Sequence, residues 1–190
     1  AAKFDGGSGN YLSVADHADF QFGTDPFTIE AWVFTRSAGG AVEDMIMCKG
    51  TSTGYWMLRH NENNTQGRVR WYASQNGVTV ADIKVDLGSG FYDSWHHIAV
   101  TSDGSVHTLW DNGVIIGSCR VDNLNWDYSG YPLVIGNNIG YSQASYDYLD
   151  EIRITKGVDR YQGSFVPSIT PFTTDANTKL LIQGDWLGGY

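Results

Sequence analysis

The chain has 190 residues, 42% hydrophobic and 14% aromatic with only four prolines, which supplies one well-buried core and excludes a disordered chain. Twelve Lys and Arg stand against twenty-one Asp and Glu, a net charge of -9 with the basic residues scattered. That balance excludes nucleic acid as a partner, because a duplex demands a concentrated positive face.

No apolar run reaches the length of a membrane span, and the longest, such as Val114-Ile115-Ile116, are strand-sized, so no insertion into a bilayer is expected. The sequence begins at Ala1 without methionine and shows no signal-peptide pattern. It reads as a chain processed, trimmed or excised from something longer.

In chain order, Phe4 and Leu12-Ser13-Val14 open the series as early strands. Period-two alternation then marks 27–34, 68–73, 95–101, 106–110, 133–135 and 148–155, and Lys179-Leu180-Leu181-Ile182 closes it. Asn76-Gly77 and Asn112-Gly113 sit between such runs and predict two-residue hairpins. No segment carries a helical period. Roughly a dozen strands at spacings of about 8 to 12 residues predict an all-β fold, an antiparallel two-sheet jelly-roll sandwich. It is expected to form a single domain over residues 1–190. The stretch 156–175, with Gly157, Gly163, Pro167 and Pro171, reads as a loop crossing the surface before the last strand.

The run Tyr148-Leu149-Asp150-Glu151-Ile152-Arg153-Ile154 is the least ordinary strand. Strict alternation puts Tyr148, Asp150, Ile152 and Ile154 on one face and Leu149, Glu151 and Arg153 on the other. Asp150 on an apolar face requires a partner: a cation, backbone amides or a basic side chain. Glu30 lies on one strand face with Thr28, Trp32 and Phe34, and Arg153 is its expected partner, tying an early strand to a late one.

Cys48 and Cys119 lie in apolar runs and read as two buried thiols or as one disulfide. No Cys/His spacing matches a zinc site. The adjacent His96 and His97 point to opposite strand faces, so they cannot grip one ion together and read as structural. His17, His60 and His107 show no partner in the sequence.

Sugars bind against flat aromatic rings flanked by amides and carboxylates. Two loops have that composition, and they give Asn125, Trp126, Asp127, Tyr128, Tyr131, Asn137, Asn138, Tyr141 and Tyr146 as candidate glycan-binding residues. The competing reading is that these aromatics fill the core and turn corners. Tyr55-Trp56 with Asn61-Glu62-Asn63-Asn64 is a second possibility, and Asn63-Asn64-Thr65 is a glycosylation sequon.

The residues resemble a known family, the laminin-G-like, concanavalin A-like jelly rolls. The resemblance is carried by Phe4-Asp5-Gly6, Tyr11-Leu12-Ser13-Val14, Phe27-Thr28-Ile29-Glu30-Ala31-Trp32-Val33 and Lys49-Gly50. It continues through Trp95-His96-His97-Ile98-Ala99-Val100-Thr101, Asp111-Asn112-Gly113, Pro132-Leu133-Val134-Ile135-Gly136 and Asp150-Glu151-Ile152-Arg153-Ile154. The segment Ile154 to Tyr161, followed by Phe165, Pro167 and Pro171-Phe172, is similar to the version found in phage tail and virion proteins and in bacterial surface proteins.

The resemblance implies a structural Ca2+ held by Asp150 with Asp5 and the backbone carbonyl of Gly6. It also raises glycoside hydrolysis. Relatives with this fold use a Glu-x-Asp-x-x-Glu strand, but the nearest match here, Asp147-Tyr148-Leu149-Asp150-Glu151, has Leu149 at the middle same-face position. No enzyme is expected. The expected function is a recognition or adhesion module on a virion, extracellular or cell surface, binding a surface glycan. The alternative is a structural virion decoration protein that binds protein neighbours.

Overall fold

The computed structural model describes residues 1–37, 43–51, 53–61, 65–121, 128–138 and 143–184. Its strands are β1 (Ala2–Lys3), β2 (Leu12–Val14), β3 (Phe27–Thr35), β4 (Asp44–Thr51), β5 (Gly54–His60), β6 (Arg68–Gln75) and β7 (Val78–Asp86). They continue with β8 (Trp95–Ser102), β9 (Val106–Asp111), β10 (Val114–Arg120), β11 (Leu133–Ile135), β12 (Asp147–Lys156) and β13 (Thr178–Ile182). One sheet runs β1-β12-β3-β8-β9-β10, with β13 also paired to β12. The other runs β2-β11-β4-β5-β6-β7. Every strand pairing is antiparallel, and the result is the expected jelly-roll sandwich.

Both hairpin signals are realised. Asn76 and Gly77 adopt φ of 51° and 76°, and Asn112 and Gly113 of 49° and 78°. Positive φ at both central residues matches the twist of the flanking strands. The core lies between the sheets, where Trp56, Leu58 and Trp71 of one meet Phe27, Ile29, Ile98, Val100 and Leu109 of the other. Each such side chain contributes roughly 1.5–3 kcal/mol by leaving water. Neither Cys48 nor Cys119 is in a disulfide; Cys48 is buried and Cys119 half-buried.

Strand β12 departs from the alternation expected of it. Its register against β3 shifts between Asp150, opposite Trp32, and Arg153, opposite Glu30, so β12 carries one extra residue there. Glu151 takes the left-handed φ of 49°, a β-bulge. Leu149, Ile152 and Ile154 therefore all enter the core, while Arg153 reaches Glu30 on the outer face. Asp150 does not share a face with Ile152 and Ile154, which corrects the strict two-residue reading. The conformation is held by distant partners: the Glu151 carboxylate accepts from Phe172 N at 2.6 Å and from Gln183 Nε2 at 2.9 and 3.1 Å.

Segment 157–177 crosses the outer face of the seven-stranded sheet, as the sequence predicted for this loop. Trp32 Nε1 donates to Ser168 O at 3.3 Å, and the Tyr161 ring stacks on Phe165 at 3.6 Å and meets Trp110 edge-on. Beneath it, Glu30 Oε1 accepts from Arg153 Nε at 2.8 Å, while Oε2 accepts from Tyr161 OH at 2.6 Å and pairs with His97 Nε2 at 3.0 Å. Burial alone would raise the Glu30 pKa, but His97, Arg153 and Tyr161 hold it below the usual carboxylate range.

Candidate functional site

Among the described residues, no such strap crosses the part of the six-stranded sheet's outer face formed by β5 and β6. Alternation sends Trp56 and Leu58 of β5 and Trp71 of β6 into the core, so Tyr55, Met57 and Arg59 face out beside Arg70 and Tyr72. These five side chains, with Asn138 and Gln143 from the chain between β11 and β12, line an open cleft of about 250 Å³. Its floor is firm. Met45, Cys48, Met57 and Val134 form a buried apolar layer on which Tyr55 and Tyr72 pack, and the two rings lie 5.3 Å apart at 35°.

The cleft's polar groups are tied to one another. Arg59 Nη1 donates to Glu43 Oε2 at 2.5 Å, and Gln143 Nε2 donates to the same oxygen. Asn138 Nδ2 reaches Gln143 Oε1 at 3.3 Å. Arg70 grips Asp82 with two bonds, Nε to Oδ1 at 2.8 Å and Nη2 to Oδ2 at 3.0 Å, and its guanidinium lies 4.5 Å over the Tyr72 ring. Such fork-to-fork and cation–π contacts fix both the arginine and the ring.

A buried ionic group sits behind this wall. Asp44 follows Glu43 but turns inward, where its Oδ1 accepts from Tyr146 N at 2.9 Å and its Oδ2 accepts from Asn61 Nδ2 at 2.7 Å. His60 lies between two carboxylates, with Nε2 2.8 Å from Asp147 Oδ2 and Nδ1 3.7 Å from Asp44 Oδ2. Ser145 Oγ also donates to Asp147. The group thus joins β4 and β5 of one sheet to β12 of the other, and anchors the chain just after Gln143. Burial opposes protonation of His60, yet the Asp147 carboxylate overrides it and pushes the imidazole up to about 9. Burial also lifts the Asp44 carboxyl to about 6, with Asp147 adding to the rise.

The residues singled out for sugar binding separate in space. Asn138 lines the cleft. Tyr131, 43% exposed, belongs to a second cleft of about 300 Å³ with Thr51, Thr53, Gly54, Gln75, Asn76, Tyr128 and Ser129. The Tyr128 side chain is otherwise a core group, its hydroxyl donating to Ser74 O at 2.7 Å and burial raising its pKa. Lys49, itself buried, holds this loop through the carbonyls of Tyr128 and Tyr131 and an ion pair to Asp16 at 2.5 Å. Asn137 is buried and donates to Ser8 O at 2.7 Å, while Tyr146 stacks under Arg36 at 3.5 Å. Both side chains are engaged within the protein. Asn125, Trp126, Asp127 and Tyr141 lie outside the described residues, as do Glu62, Asn63 and Asn64 of the sequon loop.

Of the set Asp5, Gly6 and Asp150, the structure places the first two apart from the third along β12. Ala2 pairs with Leu149 and Lys3 with Tyr148, and Gly6 N donates to Ser145 O. Asp5 therefore lies toward Ser145, well along the strand from Asp150. Its exposed carboxylate turns back onto Gly7 N at 3.0 Å. Asp150 accepts from Glu151 N at 2.8 Å and Gly184 N at 2.7 Å and lies 3.2 Å from the Ala1 nitrogen. The backbone amides of Glu151 and Gly184 are thus partners of the Asp150 carboxylate. Among the described residues, no group of three or more His, Cys, Asp or Glu side chains is arranged to hold a metal ion.

The carboxylates considered for hydrolysis are sealed. Asp147 faces His60 in the interior, and Glu151 is capped by Phe172 and Gln183. The histidines carry contacts the sequence did not show: His60 as above, and His107 accepting from Trp71 Nε1 at 3.0 Å. His96 pairs with Asp111 at 2.8 Å and His97 with Glu30, on opposite faces as expected. Sequence reasoning missed Tyr72, Arg70, Arg59 and Met57. The available signal was an outward row of aromatic, thioether and guanidinium groups where small polar residues usually stand.

Among the described residues, no helix is long and apolar enough to cross a membrane. A search of curated proteins finds no match. Solved structures show the same fold at low identity. A candidate carbohydrate-binding protein from Bacteroides ovatus is 16% identical with a TM-score of 0.67, covering 91% of this chain and 48% of its own. The binding domain of Paraclostridial Mosquitocidal Protein 1 is 18% identical with a TM-score of 0.63, covering 86% and 40%. The binding domain of botulinum neurotoxin serotype G is 15% identical with a TM-score of 0.64, covering 83% and 39%. The chain thus spans less than half of each of these proteins. A laminin G family model described as concanavalin A-like lectin/glucanases matches residues 5–158, and the chain belongs to that superfamily.

Proposed function

We propose that this protein is a non-catalytic carbohydrate-recognition module on a cell, extracellular or virion surface, and that its ligand lies in the Tyr55–Tyr72 cleft. One observation carries the reading: an aromatic pair on a rigid sheet, rimmed by amides and paired ions, stands open to solvent. A pyranose ring offers an apolar face to such rings and hydroxyls to such a rim. The sealed carboxylates of β12 support binding without turnover. So do the binding domains among the structural neighbours, by analogy of fold. The test is a glycan array probed with the wild-type protein and with Tyr72→Ala. Binding that the variant loses is expected; silence across the array overturns the proposal.

Exposed apolar side chains favour a second reading, attachment to protein neighbours in a virion or surface assembly. Val114 and Ile115 open β10, and Val166 and Ile169 stand 92% and 68% exposed on the strap. Self-association or particle binding that is lost on replacing Val166 would place this reading ahead.

A further inference from the structure

Resting on that assignment of the cleft, we infer that it selects neutral sugars and rejects acidic ones, because both of its guanidinium groups are already neutralised by carboxylates of the protein. A site built for a uronate or sialate presents a cation whose counter-ion is the ligand. Here Arg59 is held by Glu43 and Arg70 by Asp82 in a two-bond fork. Lys84, the neighbouring cation, lies 3.5 Å from the same Asp82. An acidic ligand would meet two arginines that each already hold a carboxylate, and would have to displace one carboxylate from its arginine.

The same arrangement suits hydroxyl groups. Glu43 and Asp82 are 24% and 33% exposed, and a carboxylate has more acceptor positions than its present donors fill. A sugar hydroxyl can donate to either carboxylate while accepting from the amides of Asn138 or Gln143. Nothing need be broken for it to bind. The neutral ring then rests on Tyr55 and Tyr72.

The inference is tested on an array carrying neutral lactose-series and glucan oligosaccharides beside their sialylated and glucuronate-bearing counterparts. Neutral members are expected to bind about tenfold or more tightly than the counterparts. Glu43→Gln keeps a partner for Gln143 but removes the charge of the Arg59–Glu43 ion pair, so it should narrow or reverse that preference. Asp82→Asn does the same for Arg70 and serves if the first variant does not fold. Equal or tighter wild-type binding of the acidic members overturns the inference and leaves the glycan reading standing. Unchanged selectivity in both folded variants also overturns it. No binding by any member removes the glycan reading and the inference with it.

Discussion

The two outer faces of the sandwich have opposite fates. On the seven-stranded sheet, segment 157–177 lays Tyr161, Phe165 and Phe172 over His97 and Trp110, sealing Glu30 beneath. On the six-stranded sheet, Tyr55, Tyr72 and their paired arginines stay open. Both faces are built from aromatics, a guanidinium and a carboxylate. The difference lies in whether the chain itself occupies the surface, and it separates residues that hold the fold from residues available to a ligand.

That contrast breaks first at Glu30. Glu30→Ala leaves Arg153 buried beside His97 with no carboxylate, and about 3–5 kcal/mol of unfolding free energy should be lost in urea titration. A loss below about 1 kcal/mol would mean that the strap is not welded to the sheet.

The second effect concerns the ionic group behind the open face. The folded-state pKa of His60 lies above its unfolded value, so the stability it contributes is complete below about 6.5 and is lost as pH rises toward 9. Asp44, also raised, loses its share between about 4 and 6. His107 opposes this at acid pH: burial lowers it to about 4, so its contribution declines as pH falls from 6.5. The clean window is alkaline. Between pH 6.5 and 9 unfolding free energy should fall by on the order of 1–3 kcal/mol, and His60→Gln should flatten that slope. A wild-type profile that rises through this window contradicts the assignment.

Removing the Tyr72 ring should weaken sugar binding about tenfold, near 1.4 kcal/mol, with the melting temperature little changed. A matching loss of stability would show instead that the cleft is structural. The smallest effect is expected at the strap's rim, where Val166→Ser should alter stability by less than about 0.5 kcal/mol. It should leave glycan binding intact.

The strands and hairpins were legible because a two-residue period and Asn-Gly pairs are local signals. The bulge was not. An extra residue at Glu151 is stabilised by Phe172 and Gln183, 21 and 32 positions away, and nothing within β12 announces it. The site was half legible for a similar reason. Tyr55 and Tyr72 look like ordinary strand residues until β5 and β6 pair and place Met57 opposite Tyr72. Tyr128 shows a non-local partner too: it stands in a polar loop, but its hydroxyl finds Ser74 across the sheet. The residues named for calcium are spread along β12: Asp5 follows β1 toward Ser145, whereas Asp150 lies beyond Leu149, the partner of Ala2.

The bulged strand has one more consequence. β13 and β1 lie along the same edge of β12: Ile182 pairs with Ile152, Ala2 pairs with Leu149, and Asp150 between them holds both Gly184 N and the Ala1 nitrogen. The two segments run in one direction, so they form a single edge strand assembled from distant parts of the sequence. A permuted chain that joins Gly184 to Ala1 and opens at the Asn76-Gly77 turn would retain every strand pairing described above.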